Sequence, residues 1–122
     1  MATNTAFGDG RMLSAVASAP TTPASGDPVL IGQIPGVAVT DEGDGGNAAT
    51  ATSIDTSGVY RLSVKGEGSA GASAVAVGDI IYYEAGQTPP LNKDATNGVR
   101  FGYALETVGS GATATIKVKV GY

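Results

Sequence analysis

The chain has 122 residues, a mass of 12.0 kDa and a net charge of −4, which bounds it to one domain with a modest core. It holds no Cys and no His, which excludes disulfides, thiolate nucleophiles and zinc-finger sites, and removes the commonest general base and transition-metal ligand. Before residue 54 only Arg11 stands against Asp9, Asp27, Asp41, Glu42 and Asp44; the later bases balance the later acids, and no basic stripe suits a phosphate backbone.

Residues 1–26 are rich in Ala, Thr, Ser and Pro and read as an extended N-terminal arm, with at most one strand near residues 11–19, ordered by contact with something else. "RMLSAVASAP" has the outline of a signal peptide, but its apolar run is short and interrupted by Ser14, Asp9 precedes it and Pro20 follows the cut, so it is read as arm. No apolar run approaches the length of a membrane span.

From Asp27 to the end, residues 27–122 read as a β domain. "DPVLIG" and "PGVAVT" are short apolar runs, with Pro28 and Pro35 suited to strand starts or edges. "ATATSI" and "GVYRLSVKG" follow; the second sets Tyr60, Leu62 and Val64 on one face against Arg61, Ser63 and Lys65. "DIIYYE" is continuously apolar and fits a strand covered on both faces. "GVRFGYALETV" alternates Val99, Phe101, Tyr103 and Leu105 against Arg100, Gly102, Ala104 and Glu106, and "ATATIKVKVGY" puts Ile116, Val118 and Val120 inward with Lys117 and Lys119 outward. Asn97-Gly98 suits a two-residue hairpin turn, and "GSG" at 109–111 joins the last two strands. Nineteen Gly, six Pro and no sustained 3.6-residue period leave an all-β fold, a small antiparallel β-barrel or sandwich. With 6% aromatic residues and no Trp, its thin core implies modest stability or burial completed by a partner or by oligomerisation.

Four stretches invite a chemical reading. "TDEGDGGNAATATS" gathers three carboxylates, yet a calcium loop begun at Asp41 meets Gly43, Gly45 and Thr52 where oxygen ligands and a glutamate belong, so it reads as a mobile acidic loop that discourages edge pairing. "GEGSAG" at 66–71 matches a dinucleotide fingerprint, but Val75, Val77 and Gly78 oppose the helix that must follow, and an inter-strand loop is expected. Ser63 and Lys65 share a strand face, so a Ser-Lys pair is the catalytic alternative, but alternating Ser and Lys on a solvated face is the ordinary reading. Tyr82 and Tyr83 fall on opposite strand faces; packing is the ordinary reading of both, with an interface anchor the alternative for the outward one. No catalytic, cofactor-binding or metal-ligating residue is assigned, and the expectation is a protein without cofactor and without enzymatic activity.

A resemblance supplies a role. "SGDPVLIGQIPGVAVTD", "TSGVYRLSVKG", "VGDIIYYE", "NGVRFGYALE" and "GATATIKVKV", in this order across residues 25–122, resemble the DUF2190 family of phage capsid cement (head decoration) proteins. The resemblance implies a structural protein of the virion on the outer surface of an icosahedral capsid, made in the host cytoplasm. Its implied partners are the major capsid protein and itself, as a homotrimer at capsomer junctions, with neither nucleic acid nor membrane. The 41–47 loop and "GEGSAGASA" are longer and more polar than the family pattern, and the arm matches little of it. The rival class is a virion or cell-surface β-module that binds a carbohydrate or receptor; five Tyr, two Phe and no Trp make a poor aromatic platform for that.

Overall fold

The computed structural model describes residues 10–121, and these form strands and turns with no helix. Four strands make an open antiparallel sheet in the order β1 (Met12–Ala15), β4 (Thr52–Asp55), β3 (Ile34–Ala38), β2 (Pro28–Ile31). Five others close a barrel: β10 (Val99–Ala104), β11 (Thr113–Val120), β5 (Gly58–Lys65), β9 (Leu91–Asn92) and β8 (Ile80–Tyr83), with β8 returning to β10. Between β5 and β8 the pair β6 (Glu67–Gly68) and β7 (Gly71–Ala72) forms a small hairpin.

The prolines fall where a ladder tolerates them. Pro28 opens the edge strand β2, and Pro35 lies in the stretch of β3 that β4 does not reach, since β4 pairs only with Val37 and Ala38. Residues 12–15, within the stretch read as arm, pair along β4 from Met12↔Asp55 to Ala15↔Thr52. Closure of the barrel rests on one parallel pairing, Val64↔Leu91, among antiparallel ones.

Leu62, Val64, Ile81, Tyr83, Leu91, Phe101, Ile116, Val118 and Val120 fill the barrel, and Leu30 and Val37 of the sheet join them. The opposite faces of β2 and β3 give Val29 and Ala38 to a second, smaller cluster with Ala17 and Ile54. A period of two thus lets one pair of strands serve two cores.

Three expectations are corrected. β8 is covered on one face: Ile81 and Tyr83 are buried, whereas Ile80 and Tyr82 are half-buried. Asn97-Gly98 is not a two-residue hairpin, for β10 pairs with β8 and β11 and not with β9. The buried Asp94 carboxylate organises a longer turn by accepting from the N–H groups of Thr96 and Asn97, 3.0 Å each, and from Asn97 Nδ2 at 2.9 Å. Gly98 serves close approach there, because a Cβ would lie 2.6 Å from both Asp94 O and Tyr82 Cβ. Finally, β10 does not keep its phase. Arg100 pairs with Tyr82 and Gly102 with Ile81, so Phe101 is the extra residue of a bulge. Val99 is half-buried and Phe101 buried; beyond the bulge Gly102 and Ala104 point inward, Tyr103 is half-exposed and Leu105 exposed.

Candidate functional site

Each stretch singled out from sequence has a structural role. The acidic loop is a hydrogen-bonded turn: Asp41 Oδ1 accepts from Ser25 N–H at 2.8 Å, Gly43 N–H donates to Ala51 O at 2.9 Å, and Asn47 Nδ2 donates to Asp44 O at 2.7 Å. Among the described residues no group of three or more acidic side chains is arranged to hold a metal. "GEGSAG" forms the β6–β7 hairpin with no helix after it, so the phosphate-binding geometry is missing. Lys65 Nζ is held by Glu67 at 2.8 Å, which gives its charge a partner other than Ser63. Tyr83 is buried 6.3 Å from the Phe101 ring, and burial, followed by the charge of Asp27, raises its hydroxyl pKa. A cleft of about 310 Å³ lies beside it, lined by Ala19, Pro20, Asp27, Pro28 and Pro90 among others.

The surface with the most distinctive chemistry is the outer wall of β10, β11 and β5. Register sets its rows: Tyr103, Lys119 and Val59 lie side by side, and Lys117 stands opposite Arg61, then Thr115 opposite Ser63 and Thr113 opposite Lys65. Leu105 N–H donates to Lys117 O at 2.9 Å, extending the second row. Val59 is 54% exposed and Leu105 38%, while Gly78 N–H donates to Ala104 O and so brings exposed Val77 to the same strand end. Arg100 caps the wall, its guanidinium 5.3 Å from the Tyr103 ring centre and its Nη2 donating to the Tyr103 hydroxyl oxygen.

This wall corrects the reading that no basic stripe exists. Arg61, Lys65, Arg100, Lys117 and Lys119, five of the seven basic residues, are distant in sequence and are gathered by cross-strand register. The signal was present in the outward positions of two alternating strands, but their pairing was needed to add them together. At the margins Glu67 meets Lys65, and Glu106 Oε1 lies 3.9 Å from Arg61 and accepts from Lys117 N–H at 2.9 Å. Lys117 and Lys119 have no carboxylate within ion-pair distance of their ammonium groups among the described residues.

A separate group of acidic residues, Asp27, Asp41, Glu42 and Asp44, lies around the open sheet, where Ser25 and Asp41 tie residues 23–27 to the 40–50 loop and Glu42 N–H donates to Pro23 O at 3.0 Å. One acidic side chain there is different in kind. Asp55, 2% exposed, accepts from Arg11 Nε and Nη2 at 2.9 Å each, from Ser57 N–H at 3.0 Å and from the Tyr60 hydroxyl. The Arg11 hydrogen bonds hold its pKa down to about 2 against the opposing effect of burial; the contact with Asp55 raises the Arg11 pKa, and the hydrogen bond to Asp55, followed by burial, raises that of Tyr60 although Arg11 opposes it. The cluster joins β1, β4 and β5 with every charge answered, so it acts as a clamp.

A family model described as phage cement protein matches residues 7–120. No curated protein and no solved structure matches the chain significantly.

Proposed function

The chain belongs to the phage cement protein family, whose role is structural and associated with the capsid, and from that premise we propose that it decorates the outer surface of an icosahedral head and stabilises it. It does so as trimers where major capsid subunits meet, without enzymatic activity, cofactor, nucleic acid or membrane. The observation that carries this reading is the family match, which spans nearly the whole chain. The wall of β10, β11 and β5 supports it: an exposed, basic sheet face with apolar and aromatic side chains among its charges suits adhesion to another protein. Repetition on a lattice makes modest single contacts effective.

Residues 1–26 contribute to attachment and residues 27–122 form the β domain that supplies the contacts between copies. The first nine residues lie outside those described; residues 12–15 already pair with β4, so the informative truncation removes residues 2–9 only.

The carbohydrate reading finds little support among the described aromatics. Tyr83 and Phe101 are buried, Tyr60 is held by Asp55 and Tyr103 by Arg100, which leaves Tyr82, itself half-buried.

Sedimentation with undecorated, expanded shells of the cognate capsid tests the proposal. Saturable binding near one chain per major capsid subunit is the expected result, with lower occupancy for the chain lacking residues 2–9. Absence of binding to intact shells would overturn the cement reading and direct the search to glycans and receptors.

A further inference from the structure

We propose that the basic wall of one copy docks the acidic 40–47 loop of a second copy, so that copies join wall to loop. The inference deepens the trimer reading above and rests on it only for the number of copies.

The wall has the composition of an interface centre with one exception. Tyr103, Leu105, Val59 and Arg61 are the residue types that pack against a partner, but two lysines, Lys117 and Lys119, stand in their midst. Lysine is depleted from interface centres, because burying an ammonium group without a partner is costly. The wall's own carboxylates, Glu67 and Glu106, sit at its margins beside Lys65 and Arg61. Its centre is therefore built for a partner that supplies carboxylates.

The chain itself carries that complement. Glu42 and Asp44 have no ion pair among the described residues, and the Asp41 carboxylate accepts from the N–H of Ser25 with no ion pair among them either. The loop that bears them is held in shape by Asn47, whose Nδ2 reaches Asp44 O at 2.7 Å and Ser53 Oγ at 3.0 Å, so little ordering is required on contact. Wall and loop belong to different sheets and do not neutralise each other within one copy. Contact between unlike patches is heterologous; it closes into a ring when the rotation permits, and three copies form one such ring.

The β10 bulge makes the wall possible. Without the extra residue Phe101, strict alternation would turn Tyr103 and Leu105 inward and leave Val59 as the one large apolar side chain in the rows of Lys119 and Lys117.

Analytical ultracentrifugation of the full chain, with no shell present, reads this contact at about 50 mM and about 500 mM salt. Association at the lower salt should weaken at least ~10-fold at the higher, and by a similar factor in Lys117→Glu/Lys119→Glu. Adding Glu42→Lys and Asp44→Lys to that variant exchanges the charges and should restore association to within a few-fold of the original. Lys117→Gln/Lys119→Gln keeps most of the outward side-chain bulk and should also associate less, which guards against misfolding of the reversed variant. A chain that stays monomeric at low salt would overturn the inference, as would a reversed variant that associates normally or an exchanged variant that does not recover. Capture of a duplex oligonucleotide by the wall, lost on reversal while self-association is unchanged, would overturn it in favour of a nucleic-acid surface. Salt-sensitive association without shell binding would leave this contact standing and remove the cement reading; shell binding by a chain whose copies ignore the reversal would do the opposite.

Discussion

The barrel and the open sheet are built from the same short strands, yet they differ in what holds them. The barrel encloses Phe101, Tyr83, Leu91, Ile81 and a set of valines, whereas the sheet's own cluster comprises Ala17, Val29, Ala38 and Ile54. The sheet compensates with polar devices: the Arg11–Asp55–Tyr60 clamp, the Asn47 hydrogen bonds and the backbone ties from residues 23–27. One outer wall of the barrel is basic, whereas Asp27, Asp41, Glu42 and Asp44 lie around the sheet, although other carboxylates such as Asp79, Glu84 and Asp94 belong to the barrel. A small chain with few aromatics has concentrated its apolar residues in one closed layer, and the second layer leans on it through Leu30 and Val37.

If the barrel carries most of the stability, the largest effect follows from emptying it. Phe101 is the largest fully buried side chain there, so Phe101→Ala should cost about 3–5 kcal/mol in chemical denaturation. The like-for-like pair is Ile81→Ala in the barrel and Ile54→Ala in the sheet cluster, both fully buried, where losses of about 2–5 kcal/mol are expected with the barrel loss the larger. Equal losses at the two positions would dissolve the distinction between the layers.

Gly102 sharpens the comparison at the bulge. A Cβ there would lie 2.1 Å from Lys119 O, so Gly102→Ala must displace the backbone of β11 or undo the bulge. A loss of about 1–3 kcal/mol is expected, together with weaker salt-sensitive self-association. Gly10→Ala, whose Cβ would meet nothing within 4 Å, is the matching control and should be neutral.

The same residue shows why part of the fold was legible and part was not. β5 and β11 keep a strict period of two over eight residues, and their pattern alone assigned Leu62, Val64, Ile116, Val118 and Val120 to the interior. β10 has the same pattern on paper, but a bulge inserts a residue without any local sign except a glycine, and the phase of Tyr103, Ala104 and Leu105 reverses. Asn97-Gly98 misled because a buried aspartate three residues earlier, not local turn propensity, decides that turn. The basic wall was hidden for a different reason. Charge along a chain is a one-dimensional quantity, and only register told which lysine lies beside which arginine.

The clamp at Asp55 offers the finest test of how the sheet is held. Its carboxyl titrates near 2 in the folded protein against about 4 in an unfolded chain, so the folded pKa is depressed. The stability it contributes is therefore fully present above about pH 4 and is lost as pH falls through about 2. Because Arg11 is 54% exposed and solvent screens the pair, the contribution is set at about 1–2 kcal/mol. Asp79 and Asp94 are also held below the usual carboxylate range, by the Ala76 N–H with Lys93 and by Asn97 with Thr96 respectively. They add to the same acid-side loss, so Asp55→Asn should reduce the slope of stability between pH 4 and pH 2 without abolishing it. Hydrogen exchange separates the layers. In Asp55→Asn, and in the parent chain near pH 2, the β1 and β4 amides should lose protection first while those of β11 and β5 keep theirs. Loss of both sets together would mean that sheet and barrel unfold as one unit and that the clamp serves the whole domain.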